Sequence, residues 1–215
     1  MNSISCQTAK LTFIDENSAQ IFKKKEHVLI GISPFNSYYS RAKIEQILIW
    51  VLEQGFKDFH FFLADEIYHY NFLMMGYSME KAQHETKKQD RYLYNKVMQN
   101  LEKYGVDEEK IIKYTDFKIQ KKYQDKYIEY KQKLKHSLSF QKILEQTISN
   151  LNFKTSHLIL TDDYIFAELP FILDTPALFN VQSSCFVYHQ NNDLYTYLFA
   201  QKNQTKMQGF IALNF

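Results

Sequence analysis

The run His27-Val28-Leu29-Ile30-Gly31-Ile32-Ser33 constrains the fold more than any other part of the chain. No acidic or cationic residue interrupts it, so a strand built from it offers no solvent face and must be covered on both sides. Strands of that kind belong to parallel sheets whose crossovers are helices. The following segment agrees: Ile44, Ile47, Leu48, Val51 and Leu52 recur at helical spacing, and Gly55 stops the helix. A second buried strand is predicted at Phe59-His60-Phe61-Phe62-Leu63-Ala64 and a third at His157-Leu158-Ile159-Leu160. Helical stretches fill the interval, one from a cap at Ser78 to about Lys103 before Gly105, another from Lys118 to Asn150, which holds no Gly or Pro. Thr161-Asp162-Asp163 reads as a helix start, leading into a helix from Tyr164 to about Leu173 that carries Pro170. Short apolar runs at Ser184–Tyr188, Leu194–Ala200 and Phe210–Phe215 complete the chain. Strand alternating with helix gives an α/β fold, a single domain over residues 1–215 with a central, mainly parallel sheet.

Composition excludes several classes. A 45% hydrophobic fraction with 5 Gly and 3 Pro in 215 residues is incompatible with a disordered or fibrous chain. Cys6 and Cys185 form no CxxC pair, no apolar run reaches bilayer length, and MNSISCQTAK lacks a signal-peptide layout, so a cytoplasmic protein without a membrane segment is expected. The formal charge of +2 names no partner, but its distribution is uneven. Residues 81–135 hold 15 basic against 9 acidic residues, while the rest of the chain is net acidic. Lysine dominates, with Arg41 and Arg91 the only arginines, a pattern suited to phosphate contacts and equally to a solvated helix face.

In a doubly wound sheet, ligands bind beyond the carboxyl ends of the strands. The first strand ends in Gly31-Ile32-Ser33-Pro34-Phe35-Asn36-Ser37-Tyr38, which is neither GxGxxG nor a P-loop. It sets a serine hydroxyl at a strand tip with Gly31 leaving room beside it, although Ser-Pro-x-Asn-Ser also makes a helix-capping turn. Tyr164 and Glu168, at i and i+4, share a helix face and could hold an ammonium or relay a proton; a core tyrosine beside a surface glutamate fits the same spacing. Tyr188-His189 ends an apolar run. His60 and His69 lack a partner at HExxH spacing, so neither a metal nor a cofactor is expected.

Together these segments resemble the cyclodipeptide synthase family. The matching strings are Gly31-Ile32-Ser33 with Asn36-Ser37-Tyr38, then Tyr164-x-x-x-Glu168-x-Pro170, then Tyr188-His189, with Asp174-Thr175-Pro176 between the last two. Asn36 with Tyr188-His189 resembles the branch named for its asparagine, tyrosine and histidine. The resemblance implies a Rossmann-like domain related to the catalytic domain of tyrosyl- and tryptophanyl-tRNA synthetases. Their HIGH and KMSKS signatures are missing here, which fits substrates that arrive already activated as aminoacyl-tRNAs, with no ATP.

The implied reaction is ping-pong. Ser33 attacks an aminoacyl-tRNA ester, and the amine of a second aminoacyl-tRNA attacks the resulting ester to give a dipeptidyl-enzyme. The free amine of that intermediate then closes a diketopiperazine and releases Ser33. Tyr164 and Glu168 would grip the first α-ammonium, Glu168 taking a proton, and Tyr188 would act during cyclisation. Leu29, Gly31, Phe62, Phe171 and Phe186 would line the first aminoacyl pocket, with Asn36 and His189 also at the substrate. Three phenylalanines favour leucine or methionine, hence a product such as cyclo(Leu-Leu). Lys87, Lys88, Arg91 and Lys96 would meet the acceptor arm of tRNA. A monomer is expected. The rival reading is a non-catalytic tRNA-binding domain of synthetase-like fold.

Overall fold

Strand β2 (His27–Ile32) is buried at every position and lies inside the sheet, as its uninterrupted apolar run requires. The structure, a computed structural model, describes residues 9–34, 36–149, 158–201 and 207–215. Among these, β2 pairs in parallel with β3 (Asp58–Leu63) on one side and with β5 (Ser184–Tyr188) on the other. Beyond β3 lies the short β4 (Ile111–Lys113). Beyond β5 lies β6 (Gln208–Asn214), and β1 (Lys10–Phe13) closes that edge as the antiparallel strand. The resulting order is β1-β6-β5-β2-β3-β4, a mainly parallel α/β sheet whose connections reverse direction between β2 and β5.

Local chemistry sets the helix ends. Helix α1 (Glu16–Lys24) starts where Asp15 accepts from the Ser18 N–H. Ser40 caps α2 (Arg41–Gln54) by accepting from Lys43 N, and Gly55, at φ 69°, ends it in the left-handed conformation glycine adopts most readily. A 3-10 turn at Asp65–Ile67 leads into α3 (Tyr68–Met74). Ser78 caps α4 (Met79–Lys103), the long basic helix, as its sequence suggests. A short α5 (Tyr114–Phe117) precedes α6 (Lys121–Leu134) and α7 (Leu138–Ser149). The single helix expected over Lys118–Asn150 is therefore broken: Ser137 Oγ accepts from Phe140 N and restarts the helix at α7, and Asn150 lies outside the described residues.

The third predicted strand is overturned. Leu158-Ile159-Leu160 belong to α8 (Leu158–Phe179), and His157 lies outside the described residues. Three apolar residues in a row fit a buried helix as well as a buried strand, and the place beside β2 goes to β5. Thr161-Asp162-Asp163 fall inside α8 and do not begin it. This helix also runs past Leu173, containing both Pro170 and Pro176 and breaking its dihedrals at Asp174 (φ −140°). The Leu194–Ala200 run lies in α9 (Asp193–Gln201). Of the two cysteines, Cys185 is free and buried in β5, and Cys6 lies outside the described residues.

Candidate active site

The point where strand order reverses places the tips of β2 and β5 side by side, and a cavity of about 510 Å³ opens there. Ser33, Asn36, Tyr164, Glu168, Tyr188 and His189 all reach its wall, brought from three distant parts of the chain. Ser33 follows β2 directly, and its hydroxyl donates weakly to Pro34 O at 3.3 Å. The Tyr188 phenol also interacts with this serine, and burial pushes that phenol well above its ordinary pKa, so it stays protonated.

Glu168 projects from α8 one turn below Tyr164, and the two share a hydrogen bond. Glu168 is half-buried, and it lines the cavity. Burial raises its pKa to about 7, and the Tyr164 bond opposes that rise only in part. Among the described residues lining the cavity, Glu168 is the sole carboxylate, and no lysine or arginine joins it. A desolvated carboxylate without a resident cation favours a cationic ligand group.

The loop after β2 is tied down by side chains. Asn36 Nδ2 donates to His189 Nε2 at 3.0 Å, and Asn36 Oδ1 accepts from Tyr38 N at 2.9 Å. Accepting at Nε2 leaves the His189 proton on Nδ1, which faces the Tyr39 hydroxyl at 3.3 Å. Burial lowers the His189 pKa to about 4, so the ring is neutral near pH 7. With both nitrogens engaged, His189 braces the loop and is not free to serve as a base for Ser33. Sequence reading missed Tyr68: its hydroxyl accepts from Ala64 N at 3.0 Å and donates to Ile32 O at 3.2 Å, pinning the β2 tip to the end of β3. It also missed Tyr195, Asn71 and Asn192 on the cavity wall, which no local motif marks.

The apolar wall includes Gly31, Phe62, Phe186, Ile172, Leu194 and Met74. A Cβ on Gly31 would stand 2.7 Å from Phe186 Cζ, so glycine is what lets that ring lie over β2. Leu29 and Phe171 are fully buried behind the wall, with Phe171 stacked on Phe62 at 4.1 Å between centroids. On α4, Lys87, Lys88 and Arg91 are exposed. Lys96 is half-buried instead, donating to Tyr39 O at 3.2 Å and lying over the Tyr92 ring, which ties the helix to the loop after β2. None of the described helices is long and apolar enough to cross a membrane.

Comparison with known proteins identifies the family and the fold. The family model described as cyclodipeptide synthase matches residues 10–214. A curated relative from Staphylococcus haemolyticus, named cyclo(L-leucyl-L-leucyl) synthase, is 29% identical over 96% of this chain and 95% of that protein. The solved structure of a cyclodipeptide synthase from Staphylococcus haemolyticus superposes with a TM-score of 0.88 at 28% identity, covering 97% of this chain and 99% of that one. The fold also matches a Mycobacterium tuberculosis protein whose structure relates cyclodipeptide synthetases to type I tRNA synthetases, with a TM-score of 0.86 at 23% identity over 96% and 93% of the two chains. With a strand-switch cavity that holds Ser33, Glu168 and Tyr188 and a family match over almost its whole length, this chain belongs to the cyclodipeptide synthase family.

Proposed function

We propose that this enzyme joins two aminoacyl-tRNAs into a cyclic dipeptide through a covalent intermediate on Ser33, without ATP. The observation that carries the reading is the lone, desolvated Glu168 carboxylate in the cavity that Ser33 enters. An α-ammonium is the cation an aminoacyl ester brings, and it supplies the partner that Glu168 lacks.

Ser33 Oγ attacks the ester carbonyl; the bond to the tRNA ribose breaks, and the departing oxygen leaves with the serine proton. Atom balance then selects which amine acts next. Attack on the Ser33 ester by the second amine, the order taken above as implied by the resemblance, would free Ser33 and leave the dipeptide on tRNA. A dipeptidyl-enzyme forms when the amine already held at Glu168 attacks the second tRNA ester, the bond to that ribose breaks, and the departing oxygen takes the proton that the amine gives up through Glu168. Glu168, with a pKa of about 7, lies close to an α-amine in basicity and takes the proton as the peptide bond forms. The amine of the second residue next attacks the Ser33 ester, closing the six-membered ring and returning a proton to Ser33 Oγ. The protonated Tyr188 phenol beside Ser33 supports a role in that last transfer.

The apolar wall around Phe62 and Phe186, with the name of the Staphylococcus haemolyticus relative, supports leucine in both positions and cyclo(Leu-Leu) as product. Exposed Lys87, Lys88 and Arg91 support docking of the tRNA acceptor arm along α4. Reliance on aminoacyl-tRNA supports a cytoplasmic location, and we read the protein as a monomer that uses no cofactor. Mass spectrometry of medium from cells expressing the wild type and Ser33→Ala tests the proposal. A diketopiperazine with wild type alone is the expected result. Undiminished product from the variant ends the covalent route, and none from folded wild type ends the synthase assignment.

A further inference from the structure

The face of the sheet that forms the cavity floor carries a second polar cluster at its opposite end. The parallel register pairs His27 with Asp58 and Leu29 with His60, so strand alternation sets His27, Asp58 and His60 on one face where β2 and β3 begin. His27 Nε2 lies 3.0 Å from His60 Nδ1, and one ring nitrogen from each histidine and an Asp58 carboxylate oxygen all fall within 4.8 Å of one another. Two features go beyond proximity. His27 Nδ1 stands 2.7 Å from the buried Ser184 Oγ, and a proton held there leaves the Nε2 lone pair facing His60. The Phe179 ring lies 4.9 Å from both imidazoles and shields them from water. An oriented imidazole and an apolar cover are the outer features that tune metal sites.

We propose that His27 Nε2, His60 Nδ1 and Asp58 bind one divalent transition-metal ion, with zinc the best match to two imidazoles and a carboxylate. Calcium and magnesium take six or more oxygen ligands, and this cluster offers only the Asp58 carboxylate beside two imidazole nitrogens. Zinc bonds of about 2.1 Å in tetrahedral array need the two nitrogens roughly 3.4 Å apart, a small opening from their present separation. Asp58 makes the larger adjustment. Its Oδ1 already accepts from Phe59 N and from Lys110 Nζ, at 2.8 Å and 2.6 Å, while Oδ2 has no such bond among the described residues. Lys110 is the competitor for this carboxylate, and its flexible, partly exposed stem lets it withdraw. Three protein ligands leave one position for water. The ion would staple the starts of β2 and β3 beneath α8, apart from the chemistry at Ser33.

The test uses untagged, chelator-treated full-length protein, with zinc titrated by calorimetry and cobalt followed by visible absorption. Wild type is expected to bind one equivalent of zinc and to give a tetrahedral cobalt spectrum. His60→Ala should weaken binding at least 100-fold, and Asp58→Asn at least tenfold. Lys110→Met should bind more tightly than wild type, and the His69→Ala control should match it. Cyclic dipeptide yield in His60→Ala should stay within about twofold of wild type, which separates this site from the Ser33 assignment. Absence of stoichiometric binding by wild type, or wild-type affinity in both folded His60→Ala and Asp58→Asn, would overturn the proposal.

Discussion

Asn36 donates from Nδ2 to His189 Nε2 across 3.0 Å, joining the loop that follows Ser33 to the residue that follows Tyr188. The bond crosses the point where strand order reverses and holds two separate ends of the cavity in register. Asn36→Ala leaves a half-buried ring nitrogen unpaired and should cost about 1–2 kcal/mol in denaturant unfolding. Single-turnover formation of labelled acyl-enzyme should fall with it, because Ser33 lies at the base of the same loop. A variant with normal acylation would mean that the loop is positioned by its other ties, Tyr38 and Tyr39 among them.

Glu168 has a signed pH effect. Its pKa is about 7 in the fold against an ordinary 4.5, so between those values the native chain holds a proton that the unfolded chain has released. Stability therefore falls as pH rises across that window and is flat above it. Glu168→Gln escapes the penalty and should be more stable than wild type at pH 8 by up to about 3 kcal/mol, with the gap closing below pH 4.5. Its synthetic rate should drop about 10²–10⁴-fold through loss of the proton acceptor. Wild-type kcat/KM should rise with pH through about 7. Urea melts at several pH values and a pH–rate profile check both halves.

Gly31 and Phe186 form one steric unit. A methyl at residue 31 would meet the ring at 2.7 Å, so Gly31→Ala should cost about 1–3 kcal/mol and reduce turnover. Adding Phe186→Leu removes the collision and should restore much of the lost stability. Phe186→Ala alone widens the cavity and should move the product spectrum toward larger side chains. Product profiling by mass spectrometry reads the last effect, and an unchanged spectrum would remove Phe186 from the specificity wall.

Lys87 and Lys88 are exposed on α4, and among the described residues Lys88 makes only a long ion pair with Glu85, at 3.8 Å, its own side chain largely in solvent. Reversing both charges should weaken aminoacyl-tRNA binding and flatten the dependence of log affinity on log salt. Lys96→Ala should behave differently, loosening the loop at Tyr39 and so lowering stability as well as affinity. Filter binding across a salt series distinguishes the two, and an unaltered slope after charge reversal would place the tRNA elsewhere.

The fold and the candidate site were legible to different depths. His27–Ile32 and the Phe59-to-Leu63 part of β3 declare themselves because nearly every position is apolar and the central ones are buried on both faces. The edge strand Lys10–Phe13 has alternating exposure and only four residues, and β4 has three, so neither produces a comparable signal. Leu158-Ile159-Leu160 misled because a short apolar segment carries no period of its own. At the site, Ser33, Glu168 and Tyr188 sit in recognisable strings, whereas Tyr68 and Tyr195 sit in none and reach the cavity neighbourhood only through packing.

The sequence by itself determined the α/β class, the helix stop at Gly55 and the helix cap at Ser78, the basic character of α4 and the strings that carry the family resemblance. These follow from local rules of exposure, capping and charge, which operate within a few residues. Only the tertiary structure decided that β5 lies beside β2, bringing Tyr188 to Ser33. It alone enclosed Glu168 in an apolar setting that raises its pKa, and set His27 against His60 by strand register. Strand pairing and desolvation depend on residues far apart in the chain, so spacing within any one segment does not encode them.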